Sequence, residues 1–308
     1  MDRREFIKKS LATGIMSGSA LTFGSFSHLF AYPHRSIFDK PFDLVAIKGS
    51  EPDVMFDTGI KSLGGMKAFI KKGQTVVVKP NIGWDTSPER AANTNPFLIK
   101  RIIKHCFEAG AKDVYVFDHT CDNWKRCYSN SGIESAAKEA GAKIVSGESE
   151  GYYQQVTIIK GKKLTDAKVH ELILESDVFI NVPVLKNHGS ADLTISMKNL
   201  MGIVWDRGYW HRNNLHQCIA DFATYRQPDL NIVDAYFVMK RNGPRGVSKE
   251  DVLTLKSQII SSDIVAADSA AAKLFGSAPE DIDHIRIANE MKIGIMDLNQ
   301  LNINRIKL

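Results

Sequence analysis

The chain has 308 residues, of which 44% are hydrophobic and 24% are charged, and its formal net charge at pH 7 is +5. A chain of this length and balance can bury a substantial core as one large domain or two small ones, which excludes the disordered and fibrous classes. The positive charge is too small to indicate a nucleic-acid-binding protein.

The first 31 residues resemble a twin-arginine export signal, with a charged segment before an apolar run. The motif positions are filled by Arg3, Arg4, Phe6, Ile7 and Lys8. A fortuitous basic start and a retained membrane anchor are the alternatives, but glycines and serines make the run a poor anchor. We predict a signal over residues 1–31 that is read by the twin-arginine machinery. The mature protein would be periplasmic or otherwise exported, with no stable membrane span and no nucleic-acid partner.

Residues 41–308 are predicted to form a single α/β domain. Short β-branched runs alternate with amphipathic stretches, which is typical of a mostly parallel sheet with helices on both faces. The predicted strands cover residues 74–79, 113–117, 143–145, 177–182 and 231–233. The predicted helices cover residues 95–109, 133–140, 193–201, 215–223, 264–275 and 282–290, and residues 155–163 are predicted to be a surface excursion.

Polar side chains follow four of the predicted strands, where a parallel sheet would place them at one shared edge. They are Lys79 and Asn81, Asp118 and His119, Lys186 and His188, and Asp234 with Asn242 farther along. A single lysine or aspartate at a strand end is usually a solvated surface group. Recurrence at four strand ends instead predicts a cleft that is lined by lysine, histidine and aspartate.

The short helix predicted over residues 193–201 carries a lysine that its fold does not require. Helical spacing puts Leu193, Met197, Leu200 and Met201 on one apolar stripe and leaves Lys198 at the stripe's edge. Asp192 is predicted to cap this helix and Gly202 to end it. Lys198 could be a snorkelling lysine, but a functional role is the alternative that we favour.

Histidines and cysteines offer candidate metal ligands, namely His119, Cys121, His211 and His216. His216 is predicted in the first turn of a helix, where the helix dipole keeps an imidazole neutral, although either of the last two histidines alone could be an ordinary core residue. The C-x5-C spacing of Cys121 and Cys127 matches no zinc or ferredoxin signature, so a disulfide, free thiols and a metal or cluster ligand all remain open. No well-marked hydrolase, kinase or dinucleotide motif occurs.

Several segments resemble the domain of unknown function 362 family. They are VVVKPN with TNP, INVPVLKNHG through TISMKNLMG, LNIVDA with NGP, and SSDIVAADSAAAKLFG. The resemblance implies an α/β module, and some members of the family carry cysteine-rich iron–sulfur segments that this sequence lacks. The layout of the strand-end lysines and histidines also resembles that of nickel-dependent lactate racemases, but no nickel is assigned from it.

Two functions fit these features. The cofactor stays open in both, and the candidates are a transition metal, an iron–sulfur cluster or none. The first is an enzyme that acts on a small anionic or carbonyl substrate, with or without a metal. Its candidate catalytic residues are Lys79, Lys186 and Lys198 for the anion, His188 or His119 for proton transfer, and Asp118 as orienter, with Asp234 as the alternative. The candidate ligand-binding residues are Asn81, Asn95, Asn199, His211, His216, Asp234 and Asn242.

The second possible function is that of a non-catalytic periplasmic protein that handles a ligand, a metal or an iron–sulfur cluster. A purely structural role does not explain charges that recur at strand ends.

Overall fold

The computed structural model describes residues 42–308, so the predicted export signal lies outside the described residues. Their strands are β1 (Leu44–Lys48), β2 (Thr75–Pro80), β3 (Asp113–Val116), β4 (Lys143–Ile144), β5 (Tyr153–Thr157), β6 (Asp166–His170), β7 (Val178–Val182), β8 (Val184–His188), β9 (Asp192–Thr194), β10 (Leu230–Met239), β11 (Val252–Ser261) and β12 (Ile303–Lys307). Their α-helices are α1 (Pro52–Lys61), α2 (Pro96–Glu108), α3 (Trp124–Asn130), α4 (Ile133–Glu139), α5 (Glu171–Glu175), α6 (Ser196–Asn199), α7 (Arg207–Arg212), α8 (Leu215–Ala223), α9 (Ile264–Phe275) and α10 (Asp283–Glu290). Across residues 42–308, no helix has both the length and the apolar character to cross a bilayer.

One large mixed sheet organises the fold, in the order β12-β1-β11-β10-β7-β2-β3-β4. The run from β10 through β7, β2 and β3 to β4 is parallel, while β11 is antiparallel to both of its neighbours. Strand β8 pairs with β10 on one side and with β9 on the other. The predicted α/β fold with a mostly parallel sheet is therefore confirmed.

Hydrophobic side chains on both faces of the sheet explain the valine-rich strands. Val76 and Val78 pack in one core with α1 to α4, whereas Val77 packs in a second core with α8, α9 and α10. Successive strand residues point to opposite faces, so a strand that is covered on both sides needs an unbroken apolar run. The sequence QTVVVK meets that requirement, and the sheet places its carboxyl end, with Lys79, between two neighbouring strands.

Residues 192–201 differ from the predicted helix. Asp192–Thr194 is strand β9, and the helical part is only α6, followed by a 3-10 turn at Leu200–Ile203. The buried carboxylate of Asp268 accepts the amide hydrogens of Ser196 (2.7 Å) and Met197 (3.0 Å), so it does the capping that was predicted for Asp192. Asp192 is exposed and has a φ of 60° in the β8–β9 hairpin. A carboxylate distant in the sequence thus fixes where this helix starts.

The predicted surface excursion over residues 155–163 is only partly correct. Its first residues belong to β5, which pairs antiparallel with β6 in a separate two-stranded sheet. The side chains of Gln154, Gln155 and Thr157 are exposed, so the segment lies at the surface as expected. The sequence lacks the apolar alternation that marks most half-buried strands, which is why this hairpin was not predicted.

Candidate functional site

A cavity of about 60 Å³ lies beyond the carboxyl ends of β2 and β3 and beside β8. Nine side chains singled out from the sequence line it: Lys79, Asn81, Asp118, His119, Cys121, Lys186, His188, Lys198 and Asn199. All six candidate catalytic residues are among these nine. Residues that were separated by more than a hundred positions therefore line one cavity, as the strand-end argument predicted.

Two kinds of backbone geometry bring these side chains together. Lys79 lies near the end of β2 and Asp118 lies two residues beyond β3, which is parallel to β2 in a register that matches Val78 with Val116. Lys186 and His188 were predicted to follow a strand, but they lie within β8 itself. Because these two residues are two positions apart in a strand, their side chains point to the same face.

Lys79 and Asp118 form a buried ion pair with an N–O distance of 3.0 Å. The Lys79 ammonium also donates to the backbone carbonyl of Asn199 (2.7 Å) and to its side-chain oxygen (2.8 Å). The other Asp118 oxygen accepts the amide hydrogen of Ile82 at 2.7 Å. Burial lowers the pKa of Lys79, and the negative charge of Asp118 opposes this shift. The ammonium thus makes two hydrogen bonds and one ion pair, so Lys79 holds the site together rather than offering a free charge to a substrate.

Gly202 closes over this ion pair. A Cβ atom at that position would lie 1.9 Å from Oδ1 of Asp118 and 2.6 Å from the Lys79 nitrogen. The amide of His119 also donates to the Gly202 carbonyl at 3.0 Å. Gly202 was predicted to end a helix, but the close approach of the ion pair is what requires a residue without a side chain here.

Lys186 is a buried lysine with no acidic partner. Its side chain is 1% exposed, and its ammonium donates to Oδ1 of Asn81 (3.2 Å) and to the carbonyl of Ala92. Burial lowers the pKa of Lys186 to about 7. Neutral oxygens stabilise an ammonium less than a carboxylate does, so a charge on Lys186 remains uncompensated within residues 42–308.

Lys198 and Arg207 add two more cations to the same cavity. Lys198 is half-buried and has no hydrogen-bond or ion-pair partner among the described residues, and burial is the main reason why its pKa falls to about 8. Arg207 donates to the backbone carbonyls of His119 and Thr120, each at 2.8 Å. Lys186, Lys198 and Arg207, here called the cationic wall, thus face the cavity without a carboxylate partner in the described part of the chain.

The two cavity histidines are held in opposite tautomers. Nδ1 of His188 accepts amide hydrogens from Ser190 and Ala191, both at 3.2 Å, so its own hydrogen lies on Nε2. Nδ1 of His119 lies 3.1 Å from the carbonyl of Val204, which can only accept, so the hydrogen lies on Nδ1 and Nε2 keeps a lone pair. Burial lowers the pKa of His188 to about 3 and also lowers the pKa of His119. Both rings are therefore neutral at pH 7, one as a donor at Nε2 and one as an acceptor.

Five candidate ligand-binding residues do not line the cavity, namely Asn95, Asp234, Asn242, His211 and His216. Asn95 is the N-cap of α2 and accepts the amide hydrogen of Phe97 at 3.0 Å. Asp234 accepts the amide hydrogens of Asn95 (2.7 Å) and Tyr236 (3.1 Å), and burial raises its pKa to about 6. Asn242 is exposed and donates to Asp251 at 2.7 Å. The alternative in which Asp234 orients a catalytic histidine is wrong, because this carboxylate contacts backbone amides instead.

The four candidate metal ligands do not form a shared site. His119 stacks on Trp205 with ring centroids 5.0 Å apart, and His211 is exposed. His216 stacks instead against the buried His284, with 3.4 Å between their Nδ1 atoms. No three histidine, cysteine, aspartate or glutamate side chains in residues 42–308 are grouped so that they could hold a metal ion.

The cysteines are all free. Cys121 is exposed beside the cavity, whereas Cys106, Cys127 and Cys218 are buried, and Cys127 faces the carbonyl of Gly83 at 3.8 Å. The disulfide that was considered between Cys121 and Cys127 is not formed. An iron–sulfur cluster is usually held by four thiolates, and this arrangement does not supply them.

Sequence reasoning gave no site role to Arg207 or Gly202, and it missed Asp268, which caps the helix α6 that carries Lys198. Arg207 stands in an aromatic and basic segment, VWDRGYW, that gives no sign of contacts with residues 119 and 120. Asp268 lies mid-helix in α9, where an aspartate is an unfavourable helix former, and that local mismatch is the one sequence signal that could have drawn attention to it.

The family described as "Domain of unknown function (DUF362)" matches residues 76–273. The chain belongs to this family. The match includes every residue that lines the cavity, and it confirms the resemblance that was read from the strand-end motifs.

Two individual proteins are similar to this DUF362 member. The thylakoid-associated protein sll1697 of Synechocystis sp. (strain ATCC 27184 / PCC 6803 / Kazusa) is 25% identical over 221 residues, which are 68% of this chain and 67% of that protein. The solved lactate racemase apoprotein from Thermoanaerobacterium thermosaccharolyticum is 12% identical, with a TM-score of 0.48 over 79% of this chain. The alignment spans 58% of the racemase chain.

Proposed function

We propose that this protein is an enzyme that binds a small anionic substrate in the cavity and moves a proton next to its carbonyl group. The observation that carries the proposal is the cationic wall, which gathers three positive side chains around one small cavity without an acidic partner among the described residues. Metal assistance is not included, because the candidate ligands are not grouped.

Charge compensation argues for an anionic ligand. Keeping a cation away from water is costly unless an opposite charge or several good hydrogen bonds replace the lost hydration. Lys79 has such compensation in Asp118, but Lys186, Lys198 and Arg207 contact only neutral groups or none. A bound carboxylate or similar anion would provide the missing charge.

The size of the cavity limits the ligand. A volume of about 60 Å³ holds roughly four to six water-sized groups, since one water needs about 10 to 15 Å³ by the same measure. A carboxylate with a short carbon chain fits this space, whereas a nucleotide or a sugar phosphate would not fit without rearrangement.

The two histidines suit proton transfer. The free lone pair on Nε2 of His119 can accept a proton from a carbon beside a carbonyl, which is general base catalysis. The Nε2 hydrogen of His188 can stabilise the developing oxyanion, as a neutral imidazole donor does in other enzymes of this chemical type. Lys186 adds positive charge for the same oxyanion or for the carboxylate of the substrate.

Isothermal titration calorimetry with oxalate and pyruvate tests the binding step. We expect the wild-type protein to bind both anions and Lys186→Met to bind them at least about tenfold more weakly, the loss of one charge-assisted hydrogen bond. Lys143→Met is the matched control, since Lys143 is an exposed lysine that pairs with Asp113 far from the cavity. Equal binding by wild type and Lys186→Met would contradict the anion site.

Hydrogen exchange tests the chemical step. In D2O, the wild-type protein should speed the loss of the pyruvate methyl signal in proton NMR, and His119→Gln should remove this activity while it still binds oxalate. Binding without exchange would identify a non-catalytic binding protein instead.

We also propose that residues 1–31 direct export by the twin-arginine route, which is supported by the arginine pair and the apolar run behind it. Changing Arg3 and Arg4 to lysine should leave the protein in the cytoplasmic fraction, as seen by immunoblotting of separated compartments. Normal export of that double variant would contradict the proposal.

A further inference from the structure

Lys198 differs from the other two cavity lysines in having a free amine. The ammonium of Lys79 is engaged by Asp118 and Asn199, and that of Lys186 by Asn81 and Ala92. Lys198 has no such partner in residues 42–308, although its side chain lines the same cavity and is half-buried. Its nitrogen can therefore approach a ligand without first breaking a contact with the protein.

We propose that Lys198 forms an imine with the carbonyl carbon of a small 2-oxo acid that is bound in this cavity. The inference rests on the proposed function and adds a substrate class and a covalent step to it. The class follows from the arrangement of charges, because a carboxylate can lie against Lys186 and Arg207 while the adjacent carbonyl carbon meets the amine of Lys198.

The surroundings of Lys198 favour the neutral amine that imine formation requires. An amine reacts with a carbonyl through its lone pair, and lysines are activated for this chemistry by desolvation or by a neighbouring cation. Burial lowers the pKa of Lys198 most, and the positive charges of Arg207 and Lys79 lower it further. Cys121 and Asp118 oppose the shift. The result, a pKa of about 8, leaves a substantial fraction of the amine neutral near that pH.

The chemical step balances without an oxidant or a reductant. The nitrogen of Lys198 attacks the carbonyl carbon, a C–N bond forms, and one proton passes from the nitrogen to the carbonyl oxygen to give a carbinolamine. The nitrogen then gives up its second proton, the oxygen takes it, and the C–O bond breaks so that water leaves as the C=N bond forms. The Lys186 ammonium and the Nε2 hydrogen of His188 can serve the departing oxygen as donors.

The other cavity lysines are poorer candidates for the covalent role. Lys79 would lose its ion pair with Asp118 if it became an imine, leaving a buried carboxylate without its cation. Lys186 donates to two oxygens deep in the wall, and a planar imine nitrogen could not keep both contacts. Lys198 has no ion pair or hydrogen bond within residues 42–308 to lose when it forms an imine.

Borohydride trapping tests the imine. Wild-type protein is treated with pyruvate and sodium borohydride, digested and mapped by mass spectrometry. We expect a reduced pyruvate adduct on Lys198, and no adduct there when pyruvate is omitted. An adduct on Lys186 or on exposed lysines alone, or no adduct from protein that binds pyruvate, would overturn the proposal.

Lys198→Arg separates the covalent step from binding, because arginine keeps the charge and lacks the nucleophilic amine. This variant should lose the adduct and bind oxalate, which has no ketone, more tightly than Lys198→Met does, because the charge is kept. Unchanged trapping in Lys198→Arg would overturn the imine while leaving the anion site intact. Wild-type protein that binds neither oxalate nor pyruvate would instead contradict the proposed function, and the imine with it.

Discussion

The cavity has two walls that treat buried positive charge in opposite ways. On the first, here called the paired wall, Lys79 forms an ion pair with Asp118 and donates two hydrogen bonds to Asn199. On the cationic wall, Lys186, Lys198 and Arg207 meet only neutral atoms, or no partner at all, within the described residues. The difference shows that a lysine at a strand end can be part of the framework or part of the binding surface, and that its partners decide which.

The same substitution on the two walls should therefore have very different effects on stability. Lys79→Met leaves the buried carboxylate of Asp118 without its cation and should lower the free energy of unfolding by about 3 to 5 kcal/mol. Lys198→Met removes a charge that has no partner, keeps most of the apolar stem, and should change stability by less than about 1 kcal/mol. Urea denaturation of both variants measures the contrast. Similar losses in the two would show that Lys198 belongs to a structural ion pair.

A substitution on the cationic wall that hardly changes stability should strongly weaken ligand binding. Lys198→Met should reduce the affinity for oxalate about tenfold to a hundredfold, since a charge-assisted hydrogen bond is worth roughly 1.5 to 3 kcal/mol. Calorimetric titration measures this loss, and Lys143→Met serves as the control on an exposed lysine. An unstable Lys198→Met whose folded fraction binds oxalate normally would contradict the assignment.

Adding a side chain at Gly202 should destabilise the protein, because the paired wall is tightly packed there. Gly202→Ala places a Cβ atom 1.9 Å from Oδ1 of Asp118, and the repacking should cost about 1 to 3 kcal/mol. Gly151→Ala is a matched control, because its nearest atom would be at an ordinary 3.5 Å. Differential scanning calorimetry of the two variants checks this, and an equal melting temperature for both would mean that the ion pair is loosely held.

The pH dependence of stability should report the uncompensated charge of Lys186. Burial sets its pKa near 7 in the folded protein, below the usual 10.5, so the unfolded chain binds more protons between these pH values. Stability should therefore rise with pH across this window, by at most about 1.4 kcal/mol per pH unit from this group. Lys186→Met should flatten the curve in denaturant titrations at pH 7 to 10. A wild-type curve that falls over this range, or one that Lys186→Met leaves unchanged, would contradict the shift.

Much of the fold and the location of the cavity were predictable because they depend on local patterns. The valine run of β2 indicates a strand covered on both faces, and the glycines after α2 and α4 mark their ends. Given parallel strands, their carboxyl ends must lie at one edge, so the pairs Lys79 with Asn81 and Asp118 with His119 had to meet.

The roles of individual residues were less predictable, since each depends on a partner far along the chain. Lys79 was expected to bind substrate, but its ammonium donates to Asn199, 120 positions away, and forms an ion pair with Asp118. Asp192 was expected to cap a helix that Asp268 caps instead, 72 positions beyond Ser196. Lys186 and His188 were expected beyond a strand end, but pairing with β9 and β10 extends the sheet through them.

The sequence alone thus determined the α/β class, the family and most of the polar residues that line the cavity, because hydrophobic periodicity and strand direction are local properties of the chain. Only the tertiary structure decided which of those residues are paired, which tautomer each histidine adopts and which cations lack a counter-charge. Ion pairs and hydrogen bonds form between side chains at distances of about 3 Å, and such distances between remote residues exist only once the sheet and its helices have packed.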